Sequence, residues 1–308
     1  MSQEVRSKLV RGMGAFAAVL VVMLVVGTFA DYQVAQAVYA PHNPLVVVVS
    51  TLGLVPMAYP GCLLLGVLAQ RSLASRKAPA LRVAGAVLCA ALALLFGALV
   101  TRALLSVLEG FGGITGTELP TAARMGVGAV VGAGLCAVGF GAGKANDARD
   151  LARNVLAVII ALAATYVLVE VVKVLMSRSR PRVVLAGYEG IGFSPWYRKF
   201  SGASELMAAH DLGKDAFKSF PSGHSLQAAA FLTSFYGLSL VYPSLQGKLG
   251  AALVAEVVCA LAVMACRMIL GAHFLSDVSV GALISVAAFL CLMVPQKEPA
   301  QRAASASR

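Results

Sequence analysis

Apolar stretches of about 18 to 25 residues recur along all 308 positions of this chain, and each is long enough for a helix to cross the roughly 30 Å hydrocarbon core of a bilayer. Nothing else in the sequence limits the fold as strongly. Inside lipid every backbone N–H and C=O must find a partner within the protein, so such stretches are helices. About eight spans are expected, at residues 13–30, 44–69, 83–106, 122–143, 154–175, 223–242, 249–266 and 274–294. A mean hydropathy of +0.83 with only 13% charged residues fits that reading. The fold class is therefore all-α, a polytopic transmembrane helical bundle.

Net charge is +11. Under the eight-span reading, Arg6, Lys8 and Arg11 share one face with Arg71, Arg76, Lys77 and Arg82. Lys144, Arg149, Arg153, Lys248, Lys297, Arg302 and Arg308 fall there too. Basic short loops mark the cytoplasmic face. The opposite loops carry Asp31, Glu109 and Glu118 without Lys or Arg, and the long 176–222 stretch falls on their side. The charge thus reads as topology, and no nucleic-acid partner is expected. The first span is expected to stay as a helix, because its apolar core is longer than that of a cleaved signal peptide. Small residues in the fourth span, Gly128 with Gly132 and Gly139 with Gly143, predict close helix packing. All six cysteines lie in apolar spans with no ligand or paired spacing, so neither a disulfide framework nor a metal site is expected. The polar tail 297–308 reads as disordered and cytoplasmic.

Three polar clusters interrupt the apolar pattern, all on the outward side. The fifth span ends in VEVVKVLMSRSRPR, with Lys173 seven residues before Arg180 and then Pro181. Cations snorkelling to an interface look like this too, although topology needs no positive charge on that side. The sixth opens with PSGH, which places Pro221 at the first helical position and Ser222, Gly223 and His224 in the first turn. Free amides, a hydroxyl and a titratable ring meet there. The seventh and eighth are joined by CRMILGAHFLSD, where His273 and Asp277 are four apart and share a helical face. A carboxylate beside a histidine holds one tautomer and leaves the other nitrogen free to attack. Three cations, a helix start and two histidines suit phosphoryl transfer.

The ordered set K-x6-R-P, P-S-G-H and R-x5-H-x3-D resembles the signature of the type 2 phosphatidic acid phosphatase and vanadium haloperoxidase superfamily, across residues 170–294. The resemblance implies that Lys173, Arg180, Arg267, Ser222 and Gly223 bind the phosphoryl oxygens, that His273 is the nucleophile oriented by Asp277, and that His224 protonates the leaving oxygen. Cys266 stands where the family often has serine. By the same resemblance the phosphatase core is the last four spans, residues 151–296 with a catalytic loop at 176–222, and residues 1–150 form a membrane region whose role it does not explain.

What this implies is a multi-pass inner-membrane enzyme that needs no metal or cofactor, since fixed cations replace Mg²⁺. It would hydrolyse a lipid phosphomonoester or diphosphate on the extracytoplasmic side through a phosphohistidine. A lipid phosphotransferase of the same chemistry and a non-catalytic lipid transporter or binding protein are the alternatives. The bilayer and a lipid phosphate are the expected partners. The 176–222 loop, net positive and carrying Trp196, reads either as an attractor of anionic headgroups or as a solvated lid.

Overall fold

The structure is a computed structural model that describes residues 1–109, 120–146 and 148–294. The expected outward loop bearing Glu118, and the tail with Lys297, Arg302 and Arg308, lie outside those residues. Among the described residues every regular element is a helix, and seven helical segments are long and apolar enough to cross a membrane.

The sixth expected span, 223–242, is built differently and is not among those seven. It consists of two shorter helices, α9 (Gly223–Ala228) and α10 (Phe231–Val241), broken at Ala229–Ala230. A buried Glu256 side chain in the neighbouring helix α11 (Leu249–Ile269) meets the break. Glu256 Oε2 accepts the Leu232 amide at 2.6 Å, so the first turn of α10 is satisfied from outside its own helix. The α9–α10 pair still traverses the bundle. His224 lies at one end, and at the other Asn146 Nδ2 donates to the carbonyls of Leu240 and Val241.

Helix α1 (Gln3–Val38) is longer than the span expected at 13–30 and carries the segment from Asp31 onward inside the helix instead of in a loop. Its buried stripe of Leu9, Met13, Phe16, Leu20, Gly27, Asp31 and Ala35 follows helical spacing. Leu9, Met13, Phe16 and Leu20 pack with Leu249 and Met264 of α11 and with Val278, Val286 and Phe289 of α12 (Leu275–Leu292) to make the largest core cluster. At Gly27 the two helices nearly touch, since a Cβ there would lie 2.8 Å from the Ser276 amide.

Helices α2 (Pro44–Leu52), α3 (Val55–Leu73), α4 (Pro79–Glu109) and α5 (Thr121–Ala145) follow. The last three pack mainly on one another. The buried face of α5 is the expected row Gly128, Gly132, Gly139 and Gly143, and a Cβ at Gly139 would sit 1.9 Å from the Leu63 carbonyl oxygen. Leu64 and Val67 of α3 bind this group to Val155 and Val158 of α6 (Leu151–Met176) and to Val241. Above the bundle, residues 177–222 fold over one end as α7 (Pro181–Leu185), α8 (Ala203–Ala209) and a 3-10 turn at Lys214–Phe217, around Val183, Ile191, Ala216 and Phe217.

Candidate active site

Lys173 stands in the last turn of α6, where its ammonium pairs with Glu170 at 2.5 Å. The Lys173 Nζ also lies against Gly223, at whose α-carbon a Cβ would come within 2.9 Å of it, so this glycine makes room for the lysine. Seven residues on, Arg180 is 6% exposed and fixed on every nitrogen. Its Nε donates to the Asp215 carbonyl at 2.7 Å, Nη2 to the Asp215 carboxylate at 2.6 Å, and Nη1 to the Ala272 carbonyl at 2.9 Å while facing His273 Nε2 at 3.4 Å. Arg182 takes the other Asp215 oxygen at 2.7 Å. Burial would raise the Asp215 carboxyl, but the Arg180 and Arg182 guanidiniums override it and hold it below the ordinary carboxylate range.

The PSGH segment differs from expectation in register. Pro221 precedes the helix, Ser222 is its N-cap, and α9 begins at Gly223. Ser222 Oγ accepts from the Ser225 amide at 3.3 Å and the Ser225 hydroxyl at 2.9 Å, which leaves its own proton free to donate. Its amide is tied to the Asp277 carbonyl at 3.0 Å. His224 follows at the head of α9, half-buried. Arg267, in the last turn of α11, donates through Nη1 to Ser50 Oγ of α2 at 3.1 Å, and its Nε is buried with no partner among the described residues.

His273 departs from expectation in an informative way. Its Nδ1 lies 2.6 Å from the Ser219 carbonyl and 3.9 Å from the nearer Asp277 oxygen. A carbonyl can only accept, so Nδ1 carries the proton and the lone pair is on Nε2, the nitrogen that faces Arg180. Asp277 cannot hold the ring directly because its oxygens are engaged elsewhere. Oδ1 binds Arg178 at 2.5 Å, while Oδ2 accepts the Ser219 hydroxyl at 2.5 Å and the Phe274 amide at 2.8 Å. It acts one residue removed, by fixing Ser219, whose carbonyl fixes His273. Burial, followed by the charges of Arg180, Arg267, Lys173 and His224, pushes the His273 pKa well below that of ordinary imidazole. The cations named here are residues singled out by spacing.

Several supporting residues escaped the sequence reading. Ser219, Ser50, Asp215 and Arg178 are among them. So is Asp31, 2% exposed, which binds Arg178 at 2.9 Å and the Ser276 amide at 2.8 Å and also accepts the Ser276 hydroxyl. Arg178 is itself 0% exposed, donates to the Ser194 carbonyl, and lies over the Phe274 ring at 4.2 Å. It is therefore withdrawn from the surface charge that the loop was expected to show. Trp196 is likewise turned inward, stacked on Phe220 and donating to Thr28 of α1.

Residues 154–299 match the family model of the PAP2 superfamily. A PAP2 domain therefore sits in the C-terminal part of the chain. No curated protein and no solved structure matches the chain. PAP2 chemistry is of phosphatase type, on phosphate esters. The matched segment contains Lys173, Arg180, Ser222, Gly223, His224, Arg267, His273 and Asp277, whereas Asp31 and Ser50 come from helices outside it.

Proposed function

We propose that this protein is a metal-independent phosphatase that hydrolyses a lipid phosphomonoester or diphosphate through a phosphohistidine. The observation that carries this reading is the His273 ring, protonated at Nδ1 against the Ser219 carbonyl and directing an unprotonated Nε2 toward Arg180. In the first step the Nε2 lone pair forms a bond to phosphorus and the bond to the leaving oxygen breaks, while His224 gives that oxygen its proton. Lys173, Arg180, Arg267 and the Ser222 hydroxyl offset the charge that spreads over the equatorial oxygens, and the unpartnered Arg267 Nε is a donor available for that task. In the second step water attacks phosphorus, His224 takes its proton and the N–P bond breaks, which restores His273 and releases phosphate. Asp277 positions the nucleophile through Ser219.

The site opens at the bundle end opposite the one that gathers Arg6, Lys144, Arg153 and Lys248, and basic loops favour the cytoplasm. We accordingly assign it to the extracytoplasmic face of the inner membrane. Its place at a membrane helix end favours a phosphate attached to a lipid.

The test is phosphate release by purified protein from phosphatidate, phosphatidylglycerophosphate and polyprenyl diphosphate in EDTA, with His273→Ala beside it. Release that needs no metal and disappears in His273→Ala supports the reading. Activity lost in EDTA and restored by Mg²⁺ overturns the mechanism, and phosphate delivered only to an acceptor lipid would make the protein a phosphotransferase.

A further inference from the structure

At the bundle end farthest from His273, α6 and α12 stand apart over α10 and leave a furrow of about 1040 Å³, which the start of α1 closes at its tip. The dimensions suit one lipid leaflet. Lining residues on α6 run from Arg153 to Thr165, and at 1.5 Å per residue this is roughly 18 Å, close to half of a hydrocarbon core about 30 Å thick.

Chemistry divides along that length. Arg6, Arg153, Asn154 and Gln246 line the outer end. Further in, Ala157, Ala161 and Ala164 give α6 a shallow wall of small side chains, faced by Leu240 and Leu292. Polar groups in this deeper part turn back on their own helices. Thr165 Oγ1 donates to the Ala161 carbonyl at 3.0 Å, and Ser239 Oγ donates to the Tyr236 carbonyl at 2.7 Å. Both rims are open sideways, since Ile160 is 56% exposed and Cys291 is also exposed. At the outer end Arg6 donates to the Met293 carbonyl, and Arg153 forms a surface pair with Asp150 at 3.3 Å. Neither contact neutralises both arginines, so the mouth keeps a positive balance.

We propose that this furrow binds an anionic glycerophospholipid of the leaflet opposite the candidate active site, with its phosphate between Arg6 and Arg153 and one acyl chain along the alanine face of α6. Cations at the end of an apolar groove between transmembrane helices recognise an anionic headgroup in this way. The bound lipid would bridge α6 to α12 across α10, beside the contact that Arg6 of α1 makes with Met293.

The probe is phosphatidylglycerol, a diester with no phosphomonoester for the PAP2 site, compared with phosphatidylcholine. Purified full-length protein is mixed with equal amounts of each lipid in detergent, and bound lipid is counted by native mass spectrometry. Phosphatidylglycerol should be retained in preference. Arg6→Gln/Arg153→Gln should lower its retention roughly tenfold. Ala161→Trp should also lower it, by filling the acyl path with both arginines intact. Phosphate release from soluble nitrophenyl phosphate should be unchanged in both variants, which shows that they fold. Equal retention of the two lipids, or retention in both variants equal to that of the parent, overturns the proposal. So does a tenfold gain on removal of residues 297–308, because the tail would then be the occupant.

Discussion

Replacing Asp31 with alanine tests the buried charge cluster most directly. In the parent, Arg178 is flanked by two carboxylates, Asp31 at 2.9 Å and Asp277 at 2.5 Å, and all three are buried. Asp31→Ala leaves the guanidinium with Asp277 alone and strips the Ser276 amide, in the first turn of α12, of its acceptor. Removing one partner of a buried pair typically costs about 3–5 kcal/mol. A stranded amide by itself costs about 1–3 kcal/mol. The retained Asp277 places the expected loss near the lower end of the first range, at about 3 kcal/mol. Asp31→Asn keeps an oxygen for the Ser276 amide but loses the ionic partner, so it should be less damaging than alanine. Trp196, the chain's one tryptophan, offers a local readout because it donates to Thr28, three residues before Asp31 on α1. Denaturant titration in detergent, followed by Trp196 fluorescence, gives the free-energy change. A loss below about 1 kcal/mol for Asp31→Ala, with the emission unshifted, would refute the claim that this cluster fixes α1 to the site.

His224→Ala should reduce release from an alkyl phosphate lipid by about 10² to 10⁴ while largely sparing the pre-steady-state burst from nitrophenyl phosphate, whose leaving group needs little protonation. His273→Ala should abolish the burst, and equal loss of burst in both variants would reverse the roles assigned here. An impermeant thiol reagent should label Ser204→Cys, on exposed α8, in intact cells, and labelling only after lysis would place the site on the other face. Because the folded chain holds His273 neutral while the unfolded chain protonates it below the ordinary imidazole pKa, stability should fall as pH drops below about 6.5. His273→Gln should flatten that slope in denaturant titrations between pH 7 and 5, and an unchanged slope would mean the ring is not held neutral.

Spacing alone brought Lys173, Arg180, Arg267, His224 and His273 within electrostatic reach of one another, because each sits at or beside the end of an apolar helix and those ends meet at one face. The partner of His273 was not legible in that way. Sharing a helical face put Asp277 near the ring, but a carboxylate buried beside Arg178 is captured by the stronger charge, and only the folded loop brings the Ser219 carbonyl into range. Asp31 did leave a trace. It continues the stripe of Leu20, Gly27 and Ala35, and a carboxylate on the buried face of a membrane helix signals a function. Reading the apolar run as ended at residue 30 hid that trace. The break in α9–α10 was equally invisible, since the Glu256 that caps it lies 24 residues away from Leu232.

The Asp31 contacts also impose an order on biosynthesis. Arg178 is 147 residues later in the chain than Asp31, and Ser276 is 245 residues later. At about 5–20 residues per second, the ribosome needs on the order of tens of seconds to make that intervening chain. Throughout this interval α1 stands at the membrane with a carboxylate that none of its final partners yet covers. Its docking against α12 is therefore a closing event, completed only when the last helix arrives, and until then Asp31 must be sheltered by water at the interface or by the insertion machinery.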